Sequence, residues 1–165
     1  MKAIYCGILI SVLFCGCREE KQEKTAEEPA VVEVLTDDAE MNTAIQKAHS
    51  SLDTFNLALT SHNPNYDYFA LKVFFPSAEG GEHIWLSEIS LDKGKYIGVI
   101  NNAPEVVKDV DVGDTVIIDN GRIGDWMFVE AGKLHGGYTV RLLRNRMTDE
   151  EKNNFDRENG LIIEE

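Results

Sequence analysis

At 165 residues with 43% hydrophobic content, the chain has room for one modest globular domain. Its 16 basic against 29 acidic side chains give a formal charge of -13, which repels phosphate backbones and excludes nucleic acid as an expected partner. A basic partner would instead be steered in favourably.

The chain begins with a segment that reads as an address. Lys2 gives a short positive start, and Ala3 to Phe14 are apolar apart from Ser11. That run has the length of an export-signal core and falls short of the roughly twenty apolar residues a spanning helix needs. Leu13-Phe14-Cys15-Gly16-Cys17 then turns abruptly to Arg18-Glu19-Glu20. A small residue before Cys at the end of such a core resembles the lipobox of bacterial lipoproteins, here with Phe14 where Leu is usual. The resemblance implies removal of residues 1–16, a diacylglyceryl and palmitate-type anchor on Cys17, and a place in the cell envelope on a membrane. The alternative is a plain signal peptide and secretion to the periplasm. Losing Lys2 leaves 15 basic against 29 acidic side chains, a net of -14. Cys6 and Cys15 leave with the signal, so the mature domain is expected to be stable without disulfides. Residues 17–35, rich in Glu and Lys and lacking aromatics, read as a disordered acidic tether.

Residues 36–160 form the expected domain, with 161–165 as a tail. Asp37 followed by Glu40 has capping-box spacing, and Met41, Ile45, Ala48, Leu52, Phe55 and Leu59 continue as one helical stripe to His62-Asn63-Pro64. Such a stripe beside a sheet packs on it. Tyr66 to Phe75 alternates as a strand, with Phe69, Leu71, Val73 and Phe75 on one face and Lys72 opposite. After the turn at Pro76 to Gly81, Glu82 to Ser90 is a second strand whose alternation slips between Leu86 and Ile89, predicting a bulge. Asp92-Lys93-Gly94-Lys95 closes a hairpin to Tyr96–Asn101, while Val106 to Val112 stays ambiguous.

Val116 and Ile118 stop at Asn120-Gly121, and Trp126 to Val129 stop at Ala131-Gly132; two close turns predict a hairpin or small meander. Tyr138 to Met147 fits either periodicity, and its alternating start favours a strand. Thr148 and Glu151 make a second capping box, opening a short helix that ends at Asn159-Gly160. The expected fold class is α+β: a small antiparallel sheet flanked by an N-terminal amphipathic helix and a short C-terminal helix.

Glu82-His83-Ile84-Trp85-Leu86, Val112-Gly113-Asp114, Asp125-Trp126-Met127 and Gly136-Gly137-Tyr138-Thr139 with Arg141 occur in an order and spacing that resembles one bacterial family, domain of unknown function 2314, from about Tyr66 to Phe155. The resemblance implies a single α+β domain and marks signature residues. It implies no activity and carries over no catalytic residue.

The expected mature domain has no thiol, no Gly-x-Ser-x-Gly elbow and no phosphate-binding glycine loop. His83 and His135 lack metal-ligand spacing, so no metal or cofactor is expected. Aromatic residues cluster with glycines instead. The candidate binding surface therefore comprises His83, Trp85, Asp125, Trp126, Gly136, Gly137, Tyr138 and Arg141. Asp125 could instead accept backbone bonds in a turn, and Arg141 could pair with Asp114 or Asp125. Three readings follow: a lipid-anchored, non-enzymatic binding or protective module for a protein or small-molecule ligand; a hydrolase using His83 or His135 with Asp125; or a purely structural envelope protein.

Overall fold

The computed structural model describes residues 38–78 and 80–164. The signal segment, Cys17, the tether, Asp37 and Glu79 lie outside the described residues.

Helix α1 (Ala39–Ser50) starts at Asp38, whose side chain accepts from Met41 N at 3.0 Å. The cap thus falls one residue later than the capping-box spacing predicts. Arg146 fixes it there, donating to both Asp38 oxygens at 2.6 and 2.8 Å and to Glu40 at 2.7 Å. The predicted single helix breaks at Ser51, and α2 (Leu52–Ser61) begins anew. Ser50 donates to Lys47 O, and Ser51 Oγ donates to Lys47 O and Ala48 O, the serine back-bonding that bends helices. Ahead of Pro64, α2 ends where His62 turns left-handed at φ 51.

Six strands follow: β1 (Tyr66–Phe75), β2 (Glu82–Asp92), β3 (Lys95–Ile100), β4 (Thr115–Ile118), β5 (Ile123–Glu130) and β6 (Lys133–Gly136). They form one antiparallel sheet in the order β4-β3-β2-β1-β5-β6. The predicted bulge is present: the β2–β3 register shifts between Ser87 and Ser90, around Glu88 at φ 52. Two-residue turns join β2 to β3 through Lys93-Gly94 and β5 to β6 through Ala131-Gly132, all four residues at positive φ.

The predicted meander is half right. Ala131-Gly132 closes a hairpin, but Asn120-Gly121 does not. There the chain makes a short 3-10 turn, Asp119 accepting from Gly121 N at 3.1 Å, and crosses the sheet; three strands separate β4 from β5. Gly121 lacks the positive φ that a hairpin of this type requires. The ambiguous stretch 106–112 is a loop pinned by Glu82, whose carboxylate accepts from the N–H groups of Glu105, Val106 and Val107.

Tyr138–Asn145 is helix α3, which corrects the expected strand. Helix α4 (Asp149–Asn159) opens with the predicted capping box, both Thr148 and Glu151 bonds being present.

The core lies between α1/α2 and one face of the sheet. Phe55, fully buried, meets Phe69 at 5.7 Å, Tyr96 at 6.1 Å and Trp126 at 5.7 Å between ring centroids. Leu71, Ile84, Leu86, Ile100 and Ile123 complete it. Each aromatic pair of this kind adds roughly 0.5–1.5 kcal/mol beyond area burial. No described helix is long and apolar enough to cross a membrane.

Candidate functional site

Strand register sorts the signature residues onto two faces. Leu71 lies opposite Leu86 and Trp126, and Lys72 opposite Trp85 and Asp125. Paired residues share a face and successive ones alternate. Trp126 therefore faces the helices, whereas Trp85, Lys72 and Asp125 form a row across β2, β1 and β5 on the other side. His83 and Phe74 make the next pair on that side, their rings 5.3 Å apart.

Lys72 is the centre of the row. Its Nζ stands 5.8 Å from the centroid of the Trp85 ring and donates to Thr139 Oγ1 at 3.3 Å. Burial pushes its pKa down, and the Asp125 carboxylate opposes that. Lys72 carried no signal of its own in the sequence beyond standing opposite the apolar face of β1.

Asp125 is wholly buried. One oxygen accepts from Trp126 N at 2.8 Å and Tyr138 N at 3.1 Å; the other accepts from Thr139 N at 2.8 Å and Thr139 Oγ1 at 2.7 Å. The cap position of α3 is Gly137, at φ 61, which has no side chain to offer. Asp125 supplies the missing cap from β5 and places its charge at the positive end of the helix. Burial raises its carboxyl above the usual range, and the hydrogen bonds from Thr139, Trp126 and Tyr138 counter that rise. Every one of these partners donates, so the ionised carboxylate is the form the surroundings fit.

The two tryptophans differ in what they have left to give. Trp126 is 2% exposed and its Nε1 donates to Ala48 O at 2.9 Å. Trp85 is half-buried, and among the described residues its indole N–H donates to no protein group; its backbone N–H donates to Asn102 Oδ1 at 2.7 Å and its carbonyl accepts from Asn101 N at 2.9 Å. Gly136 and Gly137 press on Trp126 and Leu134, not on open space: a Cβ at Gly136 would sit 2.3 Å from Trp126 O. Trp126, Gly136 and Gly137 are thus packing residues. Half-buried Tyr138 meets Trp126 edge-on at 5.8 Å. Arg141 pairs with neither Asp114 nor Asp125; it donates to the carbonyls of Gly136, Leu134 and Glu164, tying α3 to β6 and to the C-terminal segment. Tyr138 and Arg141 also line a groove of about 520 Å³ between α1 and α3.

The histidines are not brought together. His135 lies opposite Phe128, on the helix-facing side, stacked on its ring at 4.6 Å. Its Nε2 is 3.0 Å from Glu130 Oε2 but makes no hydrogen bond there. His83 lies on the other face, and burial, then Lys72, pushes its pKa down to about 4. Neither histidine donates to Asp125, whose oxygens are taken by the groups named above.

Residues 38–163 match the family described as an uncharacterised protein conserved in bacteria, DUF2314. The chain belongs to the DUF2314 family. Among curated relatives, a putative ankyrin repeat protein of Neisseria meningitidis is 40% identical over 100 residues, covering 58% of this chain and 39% of that protein. The uncharacterised protein YegJ of Escherichia coli is 34% identical over 100 residues, covering 61% of this chain and 64% of that protein. The chain therefore spans less than two thirds of the length of either relative. No solved structure matches it. The DUF2314 match begins at Asp38, so it takes in α1 and α2, upstream of the signature that starts near Tyr66.

Proposed function

We propose that this protein is a cell-envelope lipoprotein, anchored through Cys17, that works as a non-enzymatic binding or protective module. Its ligand face is the patch of Lys72, His83 and Trp85 on the side of the sheet turned away from α1 and α2. The observation that carries this reading is the contrast between the indoles: Trp126 spends its donor inside the fold, while Trp85 keeps an open N–H beside an ammonium group. An aromatic plate with a polar handle and a neighbouring cation is a recognition surface. Asp125, Thr139, Gly136, Gly137, Trp126 and Arg141 hold the elements that present it.

The hydrolase reading loses support from geometry. It needs a histidine hydrogen-bonded to an available carboxylate, and Asp125 is saturated. Burial, then Lys72, pushes the His83 pKa down to about 4, which makes it a weak general base at pH 7.

The test is affinity capture from detergent-solubilised envelope, comparing wild type with Trp85→Ala and Lys72→Met. A retained partner or ligand set that both variants lose supports the proposal. Identical sets from all three proteins, with circular dichroism unchanged, would overturn it in favour of a purely structural role.

A further inference from the structure

The two edges of the sheet are treated differently. Along β6, the C-terminal segment adds itself to the ladder: Leu134 N donates to Ile162 O at 3.0 Å, and Ile162 N donates to Gly132 O at 2.7 Å. At the opposite edge, β4 pairs with β3 alone. The bond from Ile100 N to Asp114 O, at 2.9 Å, sets the phase of that pairing. The Asp114 carbonyl and the backbone groups of Val116 and Ile118 thus turn to β3, while Thr115 and Ile117 turn theirs outward; the Asp114 N–H donates to Asp111 O at 3.1 Å. Ile117 is also 69% exposed, and with Gly94, Lys95, Ile118, Asp119 and Asn120 it lines a concavity of about 450 Å³ at the end of the strand. Neither proline nor lysine interrupts β4; a glycine bulge, Gly113 and Asp114 both bonded to Ile100, stands just before it, and the four residues that follow pair regularly with β3.

Charge selects the occupant. Asp109, Asp111 and Asp114 stand before β4 and Asp119 after it, against Lys95 and Lys108, and Lys108 Nζ is occupied by Glu105 O at 2.6 Å. A second copy would bring another such set of carboxylates to the same short seam, which like-charge repulsion opposes. An extended segment with basic residues meets the opposite situation.

We propose that β4 accepts an extended segment of a partner protein as a further antiparallel strand. That segment carries β-branched side chains against Ile117 and Lys or Arg where it passes Asp111 and Asp114. Main-chain bonds to Thr115 and Ile117 supply the affinity, and the Ile117 concavity with its acidic flank supplies the selection.

A fluorescein-labelled peptide of alternating Thr and Val ending in Lys-Lys is the probe, titrated into the full chain by anisotropy. Amide exchange is followed in parallel. The peptide should bind, more weakly at higher salt, and should slow exchange at Thr115 and Ile117. Ile117→Pro removes an outward N–H without costing a ladder bond and should weaken binding by about tenfold or more. Ile117→Lys, which keeps the N–H but removes the apolar contact and offsets the acidic flank, should weaken it in the same direction and serves if the proline variant fails to fold. No binding to wild type, equal affinity for a folded variant, protection at other strands, or a β4-dependent dimer by gel filtration would each overturn the proposal.

Discussion

A methyl group on Gly136 would stand 2.3 Å from the Trp126 carbonyl oxygen and 2.4 Å from its indole Cε3, on a backbone already at φ 69. Left-handed strain costs about 1–2 kcal/mol and forced repacking about 1–3 more. Gly136→Ala should therefore lower the unfolding free energy by roughly 2–5 kcal/mol in a urea titration. Gly113→Ala meets nothing within 4 Å and should cost only the backbone strain; equal losses in the two variants would refute the close-packing account. A double glycine in sequence announces that something comes close, but not what. Here it is the neighbouring tryptophan, and no local pattern could have told a ligand from an indole. His83 makes a second residue-scale prediction. Its folded pKa, near 4, is below the 6.5 of an unfolded histidine. The unfolded chain alone takes up that proton between the two values, so the contribution is whole above pH 6.5 and lost as pH falls towards 4. His83→Gln should flatten the stability profile across that window, and imidazole NMR shifts of the wild type should titrate near the lower value.

At the scale of elements, local signals were legible and remote ones were not. The α4 capping box sits within Thr148 to Glu151, and Thr148→Ala should cost about 1 kcal/mol, read as a fall in melting temperature. The strand alternation of β1 and the slip in β2 were equally local. Helix α3 was different, because Tyr138, Val140 and Leu142 alternate as a strand does. The group that decides for helix, Asp125, lies 13 residues before Tyr138 and reaches α3 only once β5 has paired with β1. The same remoteness hid the β4–β5 crossover: strand order follows from the row that Ile118 joins opposite Tyr96, not from the turn residues. Asp125→Ala would leave the α3 donors uncapped and the Lys72 ammonium without its counter-charge. Each buried donor left without its acceptor costs about 1–3 kcal/mol. The loss should appear as fast amide exchange concentrated at Tyr138 to Asn145; uniform acceleration across the sheet instead would show that the carboxylate does not act through α3.

For the whole molecule, an acidic surface and the proposed lipid anchor would pull in opposite directions, and that opposition makes the anchor testable. The net of -14 expected after signal removal disfavours adsorption to anionic membranes, since only basic segments gain from their negative surface potential. On the proposed reading, stable membrane residence comes from acyl chains. One chain gives marginal binding, while two or more hold the protein fast. On the proposed anchoring at Cys17, wild type should sediment with membranes, resist a high-salt wash and come off in detergent. Cys17→Ser should move it to the soluble fraction, because the substitution removes the sulfur that would carry the acyl chains. Cys15→Ser, altering a residue within the segment that the proposed cleavage removes, should leave the distribution unchanged. A soluble wild type would favour a plain signal peptide, and a membrane-bound Cys17→Ser would point to attachment through a partner protein. In that second case, the patch at Lys72 and Trp85 and the edge at β4 become the surfaces to mutate next.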